Sequence, residues 1–506
     1  MRLRLRFIAA LAVSLLALSI TAIARTGGSE PAPRPVAPGG LPVATDAPDR
    51  DDAAQPRRDR EAERAAQLSR LRRSGTIRAA LRRLALLHLI STSEHRRLRR
   101  TLWTAQRAHS RLRGTRRAEL GAVIATAQRL ARSHTLTASR IEPIFLTLRR
   151  NRDFWTQRAL PRAGRRVTFG RDPVVFEYYP GRGLALQPLA GFGRASAMAS
   201  LCLAAHTRYR CRPHALRRLL ERMLSLAADR GDFRAWEYYF SFAGGRVPWI
   251  SAMTQATAAQ ALSRAARALD EPRYEQAALG ALGALEARPP VGVGLRSGAG
   301  SHYVMYSFDP RLRILNGELQ ALIGLREAAL LTGSARATRL YQRAEPATRR
   351  SVRAFDTGAW SLYSNRGEES TLGYHRLVGT FLGVLCRRTG RPQYCVTQRR
   401  FKRYERQPPR VRLRATPPIR RGRPARIRFS LSKLSRVRVV VWGRHGVQLR
   451  REAQFAHGTH TLRWTPPRGG AVRVRITAVG PAGTRAVVRR TLWAARARTK
   501  AQDKTK

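Results

Sequence analysis

The chain has 506 residues, more than one hydrophobic core usually supports, so two or three folded units are expected. Its 43% hydrophobic content is that of a globular chain and excludes a wholly disordered one. The formal charge of +65 is written almost entirely in arginine, since only five lysines occur and three of them lie in the last seven residues. Nucleic acid, acidic polysaccharide and an anionic cell envelope all suit a field of that sign, and so does a genome that writes arginine wherever a basic residue is tolerated.

The N-terminus narrows the compartment. Arg2, Arg4 and Arg6 precede an apolar run from Phe7 to Ala24 ending in Ala22-Ile23-Ala24, the small-x-small pattern of a signal-peptidase site. Residues 1–25 are therefore expected to act as a signal peptide, or as a signal anchor on the outer face of the membrane, because the run is just long enough to stay there. Export argues against nucleic acid as the partner and leaves an anionic polysaccharide or the anionic cell envelope. Residues 26–57 are rich in Pro, Gly and Asp with few large apolar side chains, which predicts an unstructured tether.

From 58 to 150 the text becomes Ala, Leu and Arg with helical periodicity, as in Ile77, Leu81 and Leu84, and Gly75, Gly114 and Ser133-His134 divide it into three or four helices. The arginines of this arm read either as a solvated face or as a grip on a polyanion. Residues 167–193 are turn-rich and gather Glu177, Tyr178, Tyr179, Arg182 and Gln187, which suits the rim of a carbohydrate cleft or a buried strand. Seven helical runs follow, at 187–206, 213–228, 251–269, 272–286, 315–332, 335–354 and 371–388. Leu315, Leu319, Leu322 and Ile323 show the single apolar face that lets such helices pack in pairs. This alternation predicts a mainly α chain with an α/α toroid, an incomplete barrel of helical hairpins, over 151–406.

The four cysteines fall in two couples nine residues apart, Cys202 with Cys211 and Cys386 with Cys395, and local bridges are the simplest of three possible pairings. His206 and His214 raise a zinc reading that no CxxC spacing supports, so neither metal nor cofactor is expected. From 407 to 495 the apolar period becomes two, as in Ile427, Phe429 and Leu431 or Val472, Val474 and Ile476. That predicts a β-sandwich of immunoglobulin or fibronectin type, followed by a disordered tail at 496–506.

Four ordered motifs sit between the helices. Tyr306 is followed by Leu315-Asn316-Gly317 opening a helix; Phe355-Asp356-Thr357-Gly358 is followed by Tyr363 and Arg366; Tyr374-His375 enters another helix; and Pro248-Trp249-Ile250-Ser251-Ala252-Met253-Thr254-Gln255 stands ahead of them. Together these resemble the C-terminal domain of the D-glucuronyl C5-epimerases over roughly residues 230–390. The resemblance implies a toroid with its site at one end, a uronic-acid polymer such as heparosan as substrate, Tyr306 and Tyr374 on the proton-carrying side, Tyr363 and Arg366 on the sugar ring and its carboxylate, and Asn316, Trp249 and Gln255 as further contacts. Tyr178 and Arg182 are added from the turn-rich passage. One position departs from the family, which has glutamate where this chain has Met305.

Inverting carbon 5 of a hexuronate requires two proton carriers flanking the ring and a cation on the carboxylate. Glu237 is the stand-in expected for the missing acid, with Asp309 second. A phenol with a pKa near 10 would act freely at pH 7 only if its anion gained about 4 kcal/mol, at about 1.4 kcal/mol per unit, and neighbouring arginines are expected to supply much of that. Two other readings remain open: a uronan lyase using one tyrosine as base and acid, and a non-catalytic glycan-binding envelope protein.

Overall fold

The computed structural model describes residues 51–170, 172–298, 300–414 and 419–495. The expected leader, most of the tether and the C-terminal tail lie outside them. No described helix is long and apolar enough to cross a membrane. Helix α1 (Asp51–Ser74) begins inside the stretch expected to be a tether, because its Ala and Glu residues favour helix once Pro and Gly thin out.

Four further helices complete the arm: α2 (Ile77–Leu86), α3 (Thr92–Arg111), α4 (Gly114–Arg132) and α5 (Ala138–Gln157). Thr76 and Ser91 cap α2 and α3 through their side-chain oxygens. Their apolar stripes meet in one core that includes Leu81, Leu102, Leu130 and Trp155.

That core continues into a three-stranded antiparallel sheet of β1 (Arg166–Phe169), β2 (Asp172–Tyr179) and β3 (Gly183–Leu186). Alternation along β2 sorts its side chains: Val174, Phe176 and Tyr178 enter the arm core, and Tyr179 joins the core of the helices that follow. The arm holds this sheet by its polar groups. Glu119 of α4 accepts from the backbone N–H of Gly181 and Gly183, both at 2.8 Å, and Asn151 of α5 bonds both backbone groups of Leu184 at 2.8 Å.

Helical hairpins follow. The inner members α6 (Pro188–Leu203), α8 (Ala252–Leu269), α11 (Leu315–Thr332) and α13 (Leu372–Thr389) pack side by side in that order. Each is followed by an outer partner: α7 (Pro213–Leu224), α9 (Pro272–Ala281) with the short α10 (Gly283–Glu286), α12 (Ala335–Ser351) and α14 (Pro392–Arg406). Helix α8 is buried almost all round and rich in alanine, which lets its neighbours approach closely. At Gly324 of α11 an added Cβ would lie 2.3 Å from the carbonyl oxygen of Ala256, so this crossing needs glycine. Disulfides Cys202–Cys211 and Cys386–Cys395 bridge as the simplest pairing predicts, each at one hairpin's turn.

Because each outer helix runs back along its inner partner, the four inner helices are parallel and their N-termini share one end. The loops carrying the motifs lie at that end. They include β4 (Ala228–Arg230), β5 (Phe233–Ala235), β6 (Gly294–Ser297) and β7 (Gly300–Tyr303), paired as two short hairpins.

The C-terminal unit is β-sheet. Strands β8 (Val411–Leu413), β10 (Ala425–Leu431) and β13 (Gly458–Trp464) form one sheet; β9 (Ile419–Arg420), β11 (Ser435–Gly443), β12 (Gly446–Phe455), β14 (Gly470–Val479) and β15 (Arg485–Ala495) form the other. Both contribute to one core of Ile427, Phe429, Val439, Trp464, Val474 and Ile476.

Candidate active site

Three phenols converge at the N-terminal end of the inner helices. Tyr306 comes from the segment leading into α11, Tyr363 from the loop before α13, and Tyr374 from the first turn of α13, whose N-cap is Thr371. Tyr306 Oη lies 3.5 Å from Tyr363 Oη, too long for a strong bond, and the rings of Tyr363 and Tyr374 meet edge to face at 4.7 Å. Tyr363 sits between the two outer phenols, and either hydroxyl of the Tyr306–Tyr363 pair can donate. They form a floor rather than a rim, with exposures of 1% for Tyr306, 8% for Tyr363 and 3% for Tyr374.

Their acidity runs opposite to the sequence expectation. Burial raises all three, and Tyr306 and Tyr374 lie well above the ordinary phenol value. At neutral pH these are neutral hydroxyls. For Tyr363, hydrogen bonding with Tyr306 and Tyr374 offsets part of the rise that burial causes.

A second group reaches the phenols from β2. Glu177 is 1% exposed; burial raises its pKa against hydrogen bonds from Tyr179, Arg166 and Gln187. Tyr179 Oη donates to Glu177 at 2.7 Å and accepts from Gln187 Nε2 at 3.0 Å, while its ring stacks on Phe240 at 4.7 Å. The Glu177 charge adds to the upward push on Tyr374, after burial and Tyr363. The sequence brought Glu177 to notice as a rim residue, but not as a partner of the phenols. Its signal is the position on β2 opposite the arm-facing Phe176 and Tyr178.

Glu237 does not fit the role expected of it. Its carboxylate takes a two-pronged bond from Arg140 at 2.7 and 2.9 Å, a third from Arg230 at 2.7 Å and a fourth from Tyr239 at 3.0 Å, with its side chain fully buried. With every oxygen of the carboxylate engaged by these partners, Glu237 ties the arm to the loop after β5. Asp309 is paired with Arg366 at 2.8 Å, an exposed bridge that ties the loop after Tyr306 to the loop after Tyr363. Arg366 therefore stands at the rim beside the floor.

The remaining expected contacts divide. Trp249 is wholly buried, stacked on Tyr238 at 4.2 Å and donating to the Phe240 carbonyl at 2.8 Å, so it supports Tyr306 edge-on instead of facing a ligand. Both side-chain ends of Gln255 are spent on the backbone of Trp236, at 3.2 and 2.9 Å. Tyr178 faces the arm, donating to Glu119 at 2.9 Å. Arg182 is exposed at the β2–β3 turn and donates to the Ser241 carbonyl at 2.8 Å. Met305 is buried, its sulfur 3.3 Å from Ser251 Oγ and its methyl against Gly317.

Asn316, one residue into α11, remains interesting. It is 1% exposed and its Oδ1 has no hydrogen-bond partner among the described residues, as is true of Oε1 of Gln187 at the N-cap of α6. Buried polar atoms left unpaired at one end of a helical row are candidates for a ligand's hydroxyls. The clustered helix N-termini favour an anionic group there.

Comparison with known proteins adds the following. Residues 230–403 match the family described as the D-glucuronyl C5-epimerase C-terminus. No curated protein matches the chain. Among solved structures, cellobiose 2-epimerase from Bacillus thermoamylovorans B4167 is similar at TM-score 0.36 and 9% identity, covering 58% of this chain and 75% of its own. Cellobiose 2-epimerase from Spirochaeta thermophila DSM 6192 gives TM-score 0.34 and 15% identity over 56% and 72%. The endo-beta-1,4-glucanase CMCax from Acetobacter xylinum gives TM-score 0.30 and 15% identity over 42% and 66%. Likeness that distant carries no functional weight. The family match carries more weight: residues 230–403, which hold all four motifs, are similar to the D-glucuronyl C5-epimerase C-terminus.

Proposed function

We propose that this protein is an exported epimerase that inverts carbon 5 of hexuronate residues, of the D-glucuronate type, in an anionic polysaccharide, and that its helical hairpins form an incomplete toroid with a β-sandwich appended. The observation that carries the reading is the phenol trio of Tyr306, Tyr363 and Tyr374 gathered inside the matched segment, with the charge of the Glu177–Tyr179 pair on β2 acting on Tyr374. Environments that hold a buried carboxyl above its usual range, and one phenol below its neighbours, are those of an acid and base working together.

The chemistry is proton removal alpha to a carboxylate and return on the other face. Glu177, ionised, accepts the carbon-5 proton, and a neutral phenol donates one from the opposite side, with Tyr363 the phenol whose anion its neighbours stabilise. Arg366 and the helix N-termini offset the charge that develops on the substrate carboxylate. The carbonyl oxygens of Asn316 and Gln187 take sugar hydroxyls. No step requires a metal or cofactor.

The test is incubation with a glucuronate-containing polymer in deuterated water. Deuterium at carbon 5 without chain scission is the expected result. An absorbance of unsaturated product would replace epimerisation by β-elimination, and neither signal across several uronans would leave a binding protein.

A further inference from the structure

The arm carries an unneutralised cationic face with one aromatic ring at its centre. Between residues 77 and 132 fourteen arginines stand against two carboxylates, Glu94 and Glu119. Both are engaged, Glu94 by Arg97 at 3.3 Å and Glu119 by Tyr178 and the β2–β3 turn. On α3, Arg96, Arg100, Trp103 and Arg107 recur at steps of four, three and four, which places them on one face about 5–6 Å apart. Trp103 is 51% exposed, and the Arg107 guanidinium lies 5.2 Å from its ring centre.

A cleft opens on each side of that ring. One, of about 390 Å³, is lined by Arg78, Arg96, Arg99 and Arg100 with Trp103. The other, also about 390 Å³, is lined by Trp103, Arg107 and Arg111 with Thr104 and Thr156. None of these arginines has a carboxylate within ion-pair distance among the described residues. The field is felt locally, since His95 is held below the usual histidine value by burial and then by Arg99 and Arg82.

We propose that the α3 face around Trp103 is a second binding site, for a stretch of anionic polysaccharide chain laid across both clefts. The inference rests on the uronan reading of the active site, which it extends from one residue of the polymer to a longer segment. A tryptophan face suits the apolar face of a sugar ring, and guanidinium groups on either side suit carboxylates repeated along the chain. From Arg96 to Arg111 the helix spans about 22 Å, long enough to need a polymer. Holding the polymer on the arm raises its local concentration at the active site.

The test uses the full chain with two probes, high-molecular-weight hyaluronan and a hyaluronan tetrasaccharide, at fixed salt. Trp103→Ala is expected to weaken polymer binding about 10-fold and the double change Arg99→Glu/Arg100→Glu about 100-fold, with unchanged thermal melting and unchanged tetrasaccharide binding. Polymer affinity unmoved in both variants would overturn the proposal. So would double-stranded DNA or anionic lipid vesicles displacing the polymer as well as free polymer does at equal charge. Binding is read without catalysis, so an absence of deuterium exchange would sink the epimerase reading while leaving this measurement intact.

Discussion

Tyr363 is the phenol on which the proposed chemistry turns, because it lies between the other two. Tyr363→Phe is expected to lower carbon-5 exchange by about 10²–10⁴-fold with the fold intact, as loss of a proton carrier does. Tyr374→Phe removes one hydrogen-bonding neighbour of that oxygen, whose effect is to lower Tyr363, and is expected to lower turnover by a smaller factor; equal losses in the two variants would place the proton on Tyr374 instead. Glu177 supplies the pH signature. Its folded pKa lies above the ordinary carboxyl value of 4.5, so the ionised, active form is lost as pH falls through that raised value. The phenols must keep their protons, and since all are raised above 10 they impose no loss at neutral pH. A profile of kcat/KM against pH should therefore show one acid limb displaced above 4.5, and Glu177→Gln should abolish exchange at every pH. An acid limb unchanged by altering Glu177 would assign the base elsewhere.

Among the elements, the inner helices are bound together by one carboxylate. Glu327 of α11 is paired with Arg264 of α8 and with Arg388 of α13 at 2.7 Å, and takes a bond from Gln260 at 2.9 Å; Arg264 also reaches Ser196 and Ser200 of α6 at 2.9 and 2.7 Å. Burial alone would raise Glu327, but the two guanidinium groups outweigh it and press it down to about 2. Its folded value is thus below its unfolded one, so its contribution is complete above about pH 4.5 and disappears as pH falls towards 2. Glu327→Gln should cost about 3–5 kcal/mol in urea unfolding at pH 7, because two buried cations lose their partner. At pH 2 the variant and the parent should converge. The helices themselves were legible because each carries an apolar face at the right period. Helix α14 was not, since Tyr394, Thr397, Phe401 and Tyr404 are its only buried positions in an arginine-rich run. Strand β2 reads as a plain apolar run because both its faces are covered, and β12 hides its strand character as a charged edge carrying Arg450, Arg451 and Glu452. Glu237 was misplaced for a related reason: its partner Arg140 is 97 residues away, and no local pattern reveals such a pair.

At the scale of the whole molecule, the C-terminal sheets grip the loop that presents the central phenol. Lys433 is 1% exposed, yet its ammonium donates to the carbonyls of Tyr404 and Gln407 at the end of α14, at 2.7 and 2.9 Å, and lies 5.3 Å from the Trp360 ring centre. Burial, aided by Arg410, lowers its pKa to about 8, so at pH 7 most of it is still charged. Nearby, Glu369 accepts the backbone N–H groups of Leu434 and His457 at 2.7 and 2.6 Å. Trp360 stacks on His375 at 3.7 Å, next to Tyr374, and the loop from Asp356 to Ser370 that holds Trp360 and Glu369 also holds Tyr363. Sheet unit and phenol floor are therefore joined through one loop, and a mere spacer would need no such joint. Lys433→Met leaves two carbonyls unpaired at a cost of about 1–3 kcal/mol. If the joint positions Tyr363, turnover per folded molecule should fall about 10-fold and limited proteolysis should open residues 356–370, while the binding of hyaluronan to the arm stays as it was. Turnover that survives the change would reduce the C-terminal unit to a tether, because the joint would then be broken without disturbing the phenols it holds.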